Sequence, residues 1–323
     1  MRIAVLVLDD VFDSGLTAVL DVFKTANNLR GCIPQPPPPW DLTRVGFTST
    51  VRTSCGLLVG TEPVARAADC DLLLVPAVST PFPHGLAPWL ESEGTARARE
   101  LVARTRVRGA QLAGACTSTF LLADSGVLDG LRATTAWQLA PLFRERYPKV
   151  ALDEQRMVTH SDGITTAGAA FSAVDLALSL VRRSSPSLSD LVAGRLIIEE
   201  RPTQATHSMP TALADRDATT AAFEAWVRCH LNRPVTLTDA AHAIGVSKRT
   251  LQRRTRSVLG ISPVRFIQDL RIEQATHLLR STDEPIDVIA RRVGYETAST
   301  LRMLLRTRTG RTAGQLRGRR HAG

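Results

Sequence analysis

Over the first 180 residues, short runs of consecutive apolar residues alternate with longer stretches in which apolar positions recur every three or four. The runs are Ile3-Ala-Val-Leu-Val-Leu8, Asp71-Leu-Leu-Leu-Val-Pro76 and Ala110-Gln-Leu-Ala-Gly114. Apolar runs without polar alternation predict strands buried on both faces. Thr17–Leu29 and Gly94–Arg106 carry helical periodicity instead. Strand-helix alternation of this kind predicts an α/β sandwich, a parallel sheet covered by helices on both faces. Gly31–Pro39 holds five prolines and is expected to be a loop of polyproline character.

After Arg182 the pattern is wholly helical. A polar stretch, Arg201-Pro-Thr-Gln-Ala-Thr-His-Ser-Met-Pro210, has turn formers and little apolar content, and marks the linker. The expected division is an α/β domain at 1–185, a helical extension and linker at 186–215, and an all-α domain at 216–323.

Within the last of these, Leu237, Ala240, Ala241 and Ile244 form one apolar helix face, Gly245-Val246 turns, and Ser247 is placed to cap a second helix, Lys248–Leu259. This is a helix-turn-helix pattern. It repeats: Ile286-Asp-Val-Ile-Ala-Arg-Arg-Val-Gly-Tyr295 matches Leu237-Thr-Asp-Ala-Ala-His-Ala-Ile-Gly-Val246 position for position. A second outer helix, Ala298–Arg308, carries Arg302, Arg306 and Arg308, and the amphipathic stretch Pro263–Arg280 reads as a strut between the units. Two units on one strut can place two recognition helices in successive major grooves, about 34 Å apart.

Charge sharpens that picture. The chain has 323 residues and net charge +9, yet residues 216–323 hold 20 Lys+Arg against 9 Asp+Glu while residues 1–215 hold 20 against 22. A basic domain beside a near-neutral one predicts a polyanionic partner for one half only. Most of those cations are arginine, whose planar fork suits phosphate and guanine. The five cysteines are odd in number and form no C-x-x-C pair, so neither a disulfide framework nor a zinc site is expected. No histidine pair or Cys/His cluster has metal-ligand spacing, and no cofactor pattern appears. With no apolar run of eighteen and no leader-like start, a cytoplasmic protein is expected.

The C-terminal motifs Gly260-Ile-Ser-Pro263, Leu270-Arg-Ile-Glu273, Leu278-Leu279, Ile289-Ala290 and Val293-Gly-Tyr295 resemble the DNA-binding domain of the AraC/XylS family over residues 219–317. The resemblance implies a double-stranded DNA partner. The contact residues expected are Ser247, Lys248, Arg249, Gln252 and Arg253 in the first unit, and Ala298, Ser299, Thr300, Arg302 and Arg306 in the second. Leu301 and Leu305 stand where family members carry phenylalanine, and Met303 where they carry arginine. Methionine cannot donate to guanine or phosphate, so different readout and looser packing are expected there.

Gly114-Ala-Cys-Thr-Ser-Thr-Phe120 sits where a strand passes into a helix, the geometry of a nucleophile elbow. A thiol there is expected to feel the helix N-terminus, which lowers its pKa, with unpaired N–H groups free to hold an anion. This segment, with Leu121-Leu-Ala-Asp-Ser-Gly-Val-Leu-Asp-Gly130 and Thr165–Asp175, is similar to the ThiJ/PfpI branch of the class I glutamine-amidotransferase-like superfamily. The resemblance spans 1–185 and implies a flavodoxin-like fold. Arg201-Pro202 and Gln204 resemble, with one intervening residue fewer, the recurring Arg-Pro-x-x-Gln linker of regulators that fuse these two domains.

The resemblance also marks departures. Thr117 follows Cys116 where enzymes place histidine, Ala136 precedes Trp137 where fused regulators have histidine, and Gly15 occupies the position of a supporting acid, with Asp13 nearby. Four readings of Cys116 stand open: pocket residue, oxidisable sensor, active nucleophile, or vestige. The expected effector site comprises Asp13, Gly15, Ala77, Ala115, Cys116 and Thr117, with no catalytic residue assigned. The whole reads as a homodimeric transcription regulator, which the resemblance implies is an activator, responsive to a small molecule that the resemblance suggests is an amino acid or amine, with RNA polymerase a further partner. The alternative is a thiol-dependent hydrolase or hydratase using Cys116.

Overall fold

The computed structural model describes residues 1–80, 85–199, 201, 203–204 and 217–317, so part of the expected linker and the last six residues lie outside the description. The chain divides into two units, Met1–Gln204 and Ala205–Gly323.

In the first unit the strands are β1 (Arg2–Leu6), β2 (Asp41–Gly46), β3 (Thr50–Arg52), β4 (Leu58–Gly60), β5 (Glu62–Pro63), β6 (Leu72–Val75), β7 (Gln111–Ala115), β8 (Arg132–Ala133), β9 (Ala151–Leu152), β10 (Val158–Ser161) and β11 (Ile164–Ala167). The helices are α1 (Asp13–Leu29), α2 (Leu86–Glu91), α3 (Glu93–Val107), α4 (Ser118–Asp124), α5 (Ala140–Arg146), α6 (Ala173–Ser184) and α7 (Pro186–Leu196). Seven strands form one sheet in the order β10-β11-β7-β6-β1-β2-β5, parallel except where β10 pairs antiparallel with β11. Taking β1, β2, β6, β7 and β11 as the successive core strands, this is the flavodoxin order, and its switch point falls between β1 and β6.

The unbroken apolar runs have a direct cause. Ala4, Leu6, Leu73, Val75 and Leu112 enter one core, while Ile3, Val5, Leu72, Leu74, Ala113 and Ala115 enter another on the opposite face. Successive side chains of a strand point to opposite faces, so both sets must be apolar when helices cover both. At the sheet edge Asp162 (φ 44°) and Gly163 (φ 71°) make the two-residue turn between β10 and β11, the left-handed pair that an Asp-Gly hairpin requires. Helix α7 packs on α1 and α6 and belongs to this unit.

The second unit is helical: α8 (Ala218–Arg228), α9 (Leu237–Ala243), α10 (Lys248–Leu259), α11 (Pro263–Ser281), α12 (Ile286–Arg292), α13 (Ala298–Thr309) and α14 (Ala313–Arg317). Helix α11 is the strut. Ser262 caps it and Pro263 opens it, where a missing N–H costs nothing. Its Phe266 meets Phe223 of α8 at 5.7 Å between ring centroids, and its Ile272, Ala275, Leu278 and Leu279 join Ile289, Ala290, Val293, Leu301, Leu305 and Leu316 in the core of the second repeat. Leu301 and Leu305 are fully buried in that core. Among the described residues no helix is long and apolar enough to cross a membrane.

Candidate functional site

Helices α10 and α13 are built alike. Ser247 accepts a hydrogen bond from the Thr250 N–H, and Thr297 accepts one from the Thr300 N–H. Each helix ends on a glycine at φ 68°, Gly260 and Gly310. Leu251, Thr255 and Leu259 of α10, and Leu301, Leu305 and Thr309 of α13, face inward. The opposite face of α10 exposes Lys248, Arg249, Gln252 and Arg253, and that of α13 exposes Ser299, Thr300, Arg302 and Arg306. Among the described residues, no ion pair neutralises Lys248, Arg249, Arg253, Arg302 or Arg306, whereas many other arginines of the unit are committed internally. Arg228 holds Glu224 and Glu273, Arg254 faces Asp217, and Arg292 pairs with Glu284. The outward cations are thus the ones left for a polyanion.

One expected contact, Ala298, and one arginine expected on the outer helix, Arg308, are placed differently. Ala298 is only 4% exposed, because it starts α13 against the core, so its side chain is not on the outer face as expected; its counterpart Lys248 is exposed. Arg308 turns back to the strut, reaching Gln268 Oε1 at 3.1 Å and Asp269 at 3.8 Å, and anchors α13 rather than facing outward. Thr297 was not among the expected contacts. It caps α13 and gathers the Ser299 and Thr300 hydroxyls at 2.9 Å each, a cluster of hydroxyls at a helix N-terminus that suits phosphate oxygens. The signal was present in the repeat: the turn from Gly294 to Thr297 is one residue longer than that from Gly245 to Ser247, which shifts the cap.

In the first unit Cys116 has φ 55°, one of four non-glycine residues with positive φ among the described residues. Strand β7 delivers it to the elbow, its N–H donates to Ala167 O (2.8 Å), and its carbonyl accepts from Thr135 Oγ1 (2.7 Å). The expected lowering of the thiol pKa is reversed. Burial pushes Cys116 up to about 11, and the Thr117 backbone N–H, acting the other way, does not offset it. Its own N–H is also spent on Ala167, so it does not serve an anion. Thr117 Oγ1 donates to Val78 O (2.8 Å) and accepts from Val78 N (2.9 Å), while Ser118 Oγ donates to Pro76 O (2.5 Å). The elbow is therefore stapled to the loop after β6. That loop also takes the Phe12 N–H on Ala77 O (2.8 Å), which links it to the start of α1.

The expected effector residues thus gather at the carboxyl ends of β1, β6 and β7, but with different duties. Ala77, Ala115 and Gly15 are buried. Asp13 turns to the 53–55 loop. The Thr53 hydroxyl is the main reason its carboxyl is lowered to about 2, and Ser54 Oγ and Cys55 N donate to it at 2.9 Å each. Among the described residues, no histidine or carboxylate hydrogen-bonds the Cys116 thiol.

A family model described as a helix-turn-helix domain matches residues 240–319. Over 197 residues the chain is 30% identical to the HTH-type transcriptional regulator CdhR of Pseudomonas aeruginosa, covering 59% of this chain and 58% of that one. Over 270 residues it is 26% identical to the HTH-type transcriptional regulator ArgR of the same species, covering 82% and 79%. The C-terminal unit is an AraC-type helix-turn-helix domain. A crystal structure of an AraC family transcriptional regulator from Pseudomonas putida superposes with a TM-score of 0.50 at 24% identity, covering 60% of this chain and 98% of that one, a likeness of fold. The chain spans between 52% and 58% of the length of the first curated relatives it matches.

The AraC-type domain is held as one body by its strut. Arg271 donates from Nη2 to Arg233 O (2.8 Å) and lies 5.4 Å from the Tyr295 ring centroid, so one guanidinium ties the first repeat to the turn of the second. In the other unit, the raised thiol has a measurable consequence. At pH 8 a thiol with a pKa near 11 is about 100-fold less ionised than one at the ordinary value of 9. Iodoacetamide is expected to label Cys116 at least about 100-fold more slowly than the exposed Cys55 and Cys229 in peptide-mapped time courses. Equal labelling at pH 8 would show the elbow to be activated after all.

Proposed function

We propose that the protein is a sequence-specific DNA-binding transcription regulator, an activator, whose first unit takes a small-molecule effector at the Cys116 elbow. The observation that carries the DNA-binding part is the duplicated helix pair with unneutralised cations on both outer helices. Its relatives CdhR and ArgR, both named transcriptional regulators, support the same reading. Each outer helix offers a phosphate-binding N-terminus and, within its first turns, long donors for base edges: Arg249, Gln252 and Arg253 on α10, Arg302 and Arg306 on α13. With two such helices on one strut, a single chain suffices for a bipartite site.

The effector part of the proposal rests on the strand order. In open α/β sheets ligands sit outside the carboxyl ends of the strands at the switch point, which here is the ground between the loops after β1 and β6, beside Cys116. The same location and the strained backbone at Cys116 would suit a hydrolase, but a thiol pushed up to about 11 and a Thr117 hydroxyl occupied by Val78 speak for binding over turnover. A homodimer assembled through the first unit, and RNA polymerase as a partner, complete the proposal. The ligand chemistry suggested by family resemblance is an amino acid or amine.

The test is binding of the purified chain to DNA upstream of its own and neighbouring genes, titrated with salt against a random duplex. A preference of about 10³-fold or more for one upstream segment is expected. Equal and steeply salt-dependent binding to both duplexes would overturn specific recognition.

A further inference from the structure

The last described residues before the AraC-type domain are docked into the first unit, and part of their seat is bonded to the elbow. Arg201 pairs with Asp175 through Nη2 (2.5 Å) and donates to Phe171 O (2.9 Å). Thr203 forms a β-bridge with Arg156, and its hydroxyl donates to Gln155 O (2.6 Å). Gln204 is 1% exposed. Its Nε2 lies near three acceptors, Thr135 O (2.8 Å), Thr134 Oγ1 (3.1 Å) and Arg156 O (3.1 Å). The seat is shaped to this side chain. A Cβ on Gly168 would lie 2.3 Å from the Gln204 amide, so only glycine leaves room.

That seat is continuous with the elbow. Thr135 gives its carbonyl to Gln204 and its hydroxyl to the Cys116 carbonyl. Gly168 follows Ala167, the acceptor of the Cys116 N–H. A movement of the elbow backbone therefore shifts two walls of the seat. The seat is also imperfect: among the described residues nothing donates to the buried Gln204 Oε1. A buried acceptor without a donor offsets part of what Nε2 contributes, so the docked state gives up some of its preference over release. A docked and a released arrangement are the two states that a switch requires.

We propose that Gln204 is a latch, a positioning residue whose seat on Thr134, Thr135, Arg156 and Gly168 couples the state of the Cys116 elbow to the chain that leads into the DNA-binding unit. This rests on the effector-responsive reading above. Ligand engagement at the elbow and release of Gln204 are then one event, and the residues of the latch act through the linker rather than by touching DNA.

The test uses the full chain with Gln204→Glu, which keeps the volume and replaces the donor by an acceptor facing three acceptors, and Thr135→Val, which removes the hydroxyl bond to Cys116 and leaves Gln204 untouched. Amide hydrogen exchange at Thr203 and Gln204 is expected to rise at least tenfold in Gln204→Glu and at least threefold in Thr135→Val. A promoter fusion without added effector is expected to shift its output at least fivefold, while affinity for the operator duplex stays within twofold of the parent. If Gln204→Glu fails to fold, Arg201→Ala opens the solvent-facing end of the same clasp and carries the same expectation. Unchanged exchange in Gln204→Glu would overturn the latch, and unchanged exchange in Thr135→Val would overturn its link to the elbow. Raised exchange with unaltered output would overturn the coupling. A parent chain without operator preference would instead sink the regulator reading, while the exchange data would still judge the seat.

Discussion

Arg253→Ala is expected to weaken operator binding by roughly 1–3 kcal/mol, about 5- to 150-fold in Kd, and to relax sequence preference at one base-pair position. Arg253 lies one turn and a half into α10, on the exposed stripe that includes Arg249 and Gln252, and no acid within the described domain competes for its guanidinium. A cation at that depth of a recognition helix is placed for a base edge, where an arginine fork binds guanine through two bonds. Lys248, at the first position of the helix, is placed for the backbone instead. Lys248→Ala should therefore weaken all duplexes alike and lower the salt slope by about one, without changing preference. Competition binding against a panel of single-base operator variants, repeated over a salt series, separates the two. If Arg253→Ala lost affinity uniformly across the panel, with a reduced slope, the assignment of α10 as the reading helix would fail.

The second large effect is on stability. Gly294→Ala should lower the stability of the AraC-type domain by roughly 2–4 kcal/mol, while Gly245→Ala, at the matching position of the first repeat, should cost only about 1 kcal/mol. Both glycines have positive φ, 79° and 72°, so both substitutions carry backbone strain. They differ in their surroundings. A Cβ on Gly294 would lie 2.2 Å from Leu231 O and 2.6 Å from Arg271 Nη2, whereas one on Gly245 would meet nothing within 4 Å. Backbone on one side and the Arg271 tie on the other leave Gly294 no room to adjust, so the second repeat must part from the strut. Thermal unfolding should show a fall of about 4–8 °C per kcal/mol in the transition of this unit, as for other domains of about 100 residues. Equal losses in the two variants would mean that the two turns are packed alike.

Much of the architecture was legible because its causes are local. Apolar runs gave the central strands, helical periodicity gave α1 and α3, and the capping residue Ser247 marked a helix start that the structure places where expected. The Asp162-Gly163 turn carried an equally local hairpin signal, but it stands among short flanking segments whose alternation is too brief to read. The outer faces of α10 and α13 could be read because helical period alone sets which residues share a side. Ala298 and Arg308 escaped, since one is covered by the core of its repeat and the other is drawn back to Asp269 on a different helix.

By itself, then, the sequence determined the α/β-then-helical order, the duplicated motif, the excess of cations in one half and the elbow at Cys116, all set by residue spacing and composition within a few turns of chain. Only the tertiary structure decided the rest. Burial overrode the helix terminus and raised the Cys116 thiol, the distant carboxylates Glu273 and Asp217 helped to sort the committed arginines from the outward ones, and backbone approach made Gly294 and Gly245 unequal. Gln204 found its acceptors 48 to 70 residues earlier in the chain. Each of these outcomes depends on desolvation and on contacts between remote segments, quantities that no local window of sequence contains.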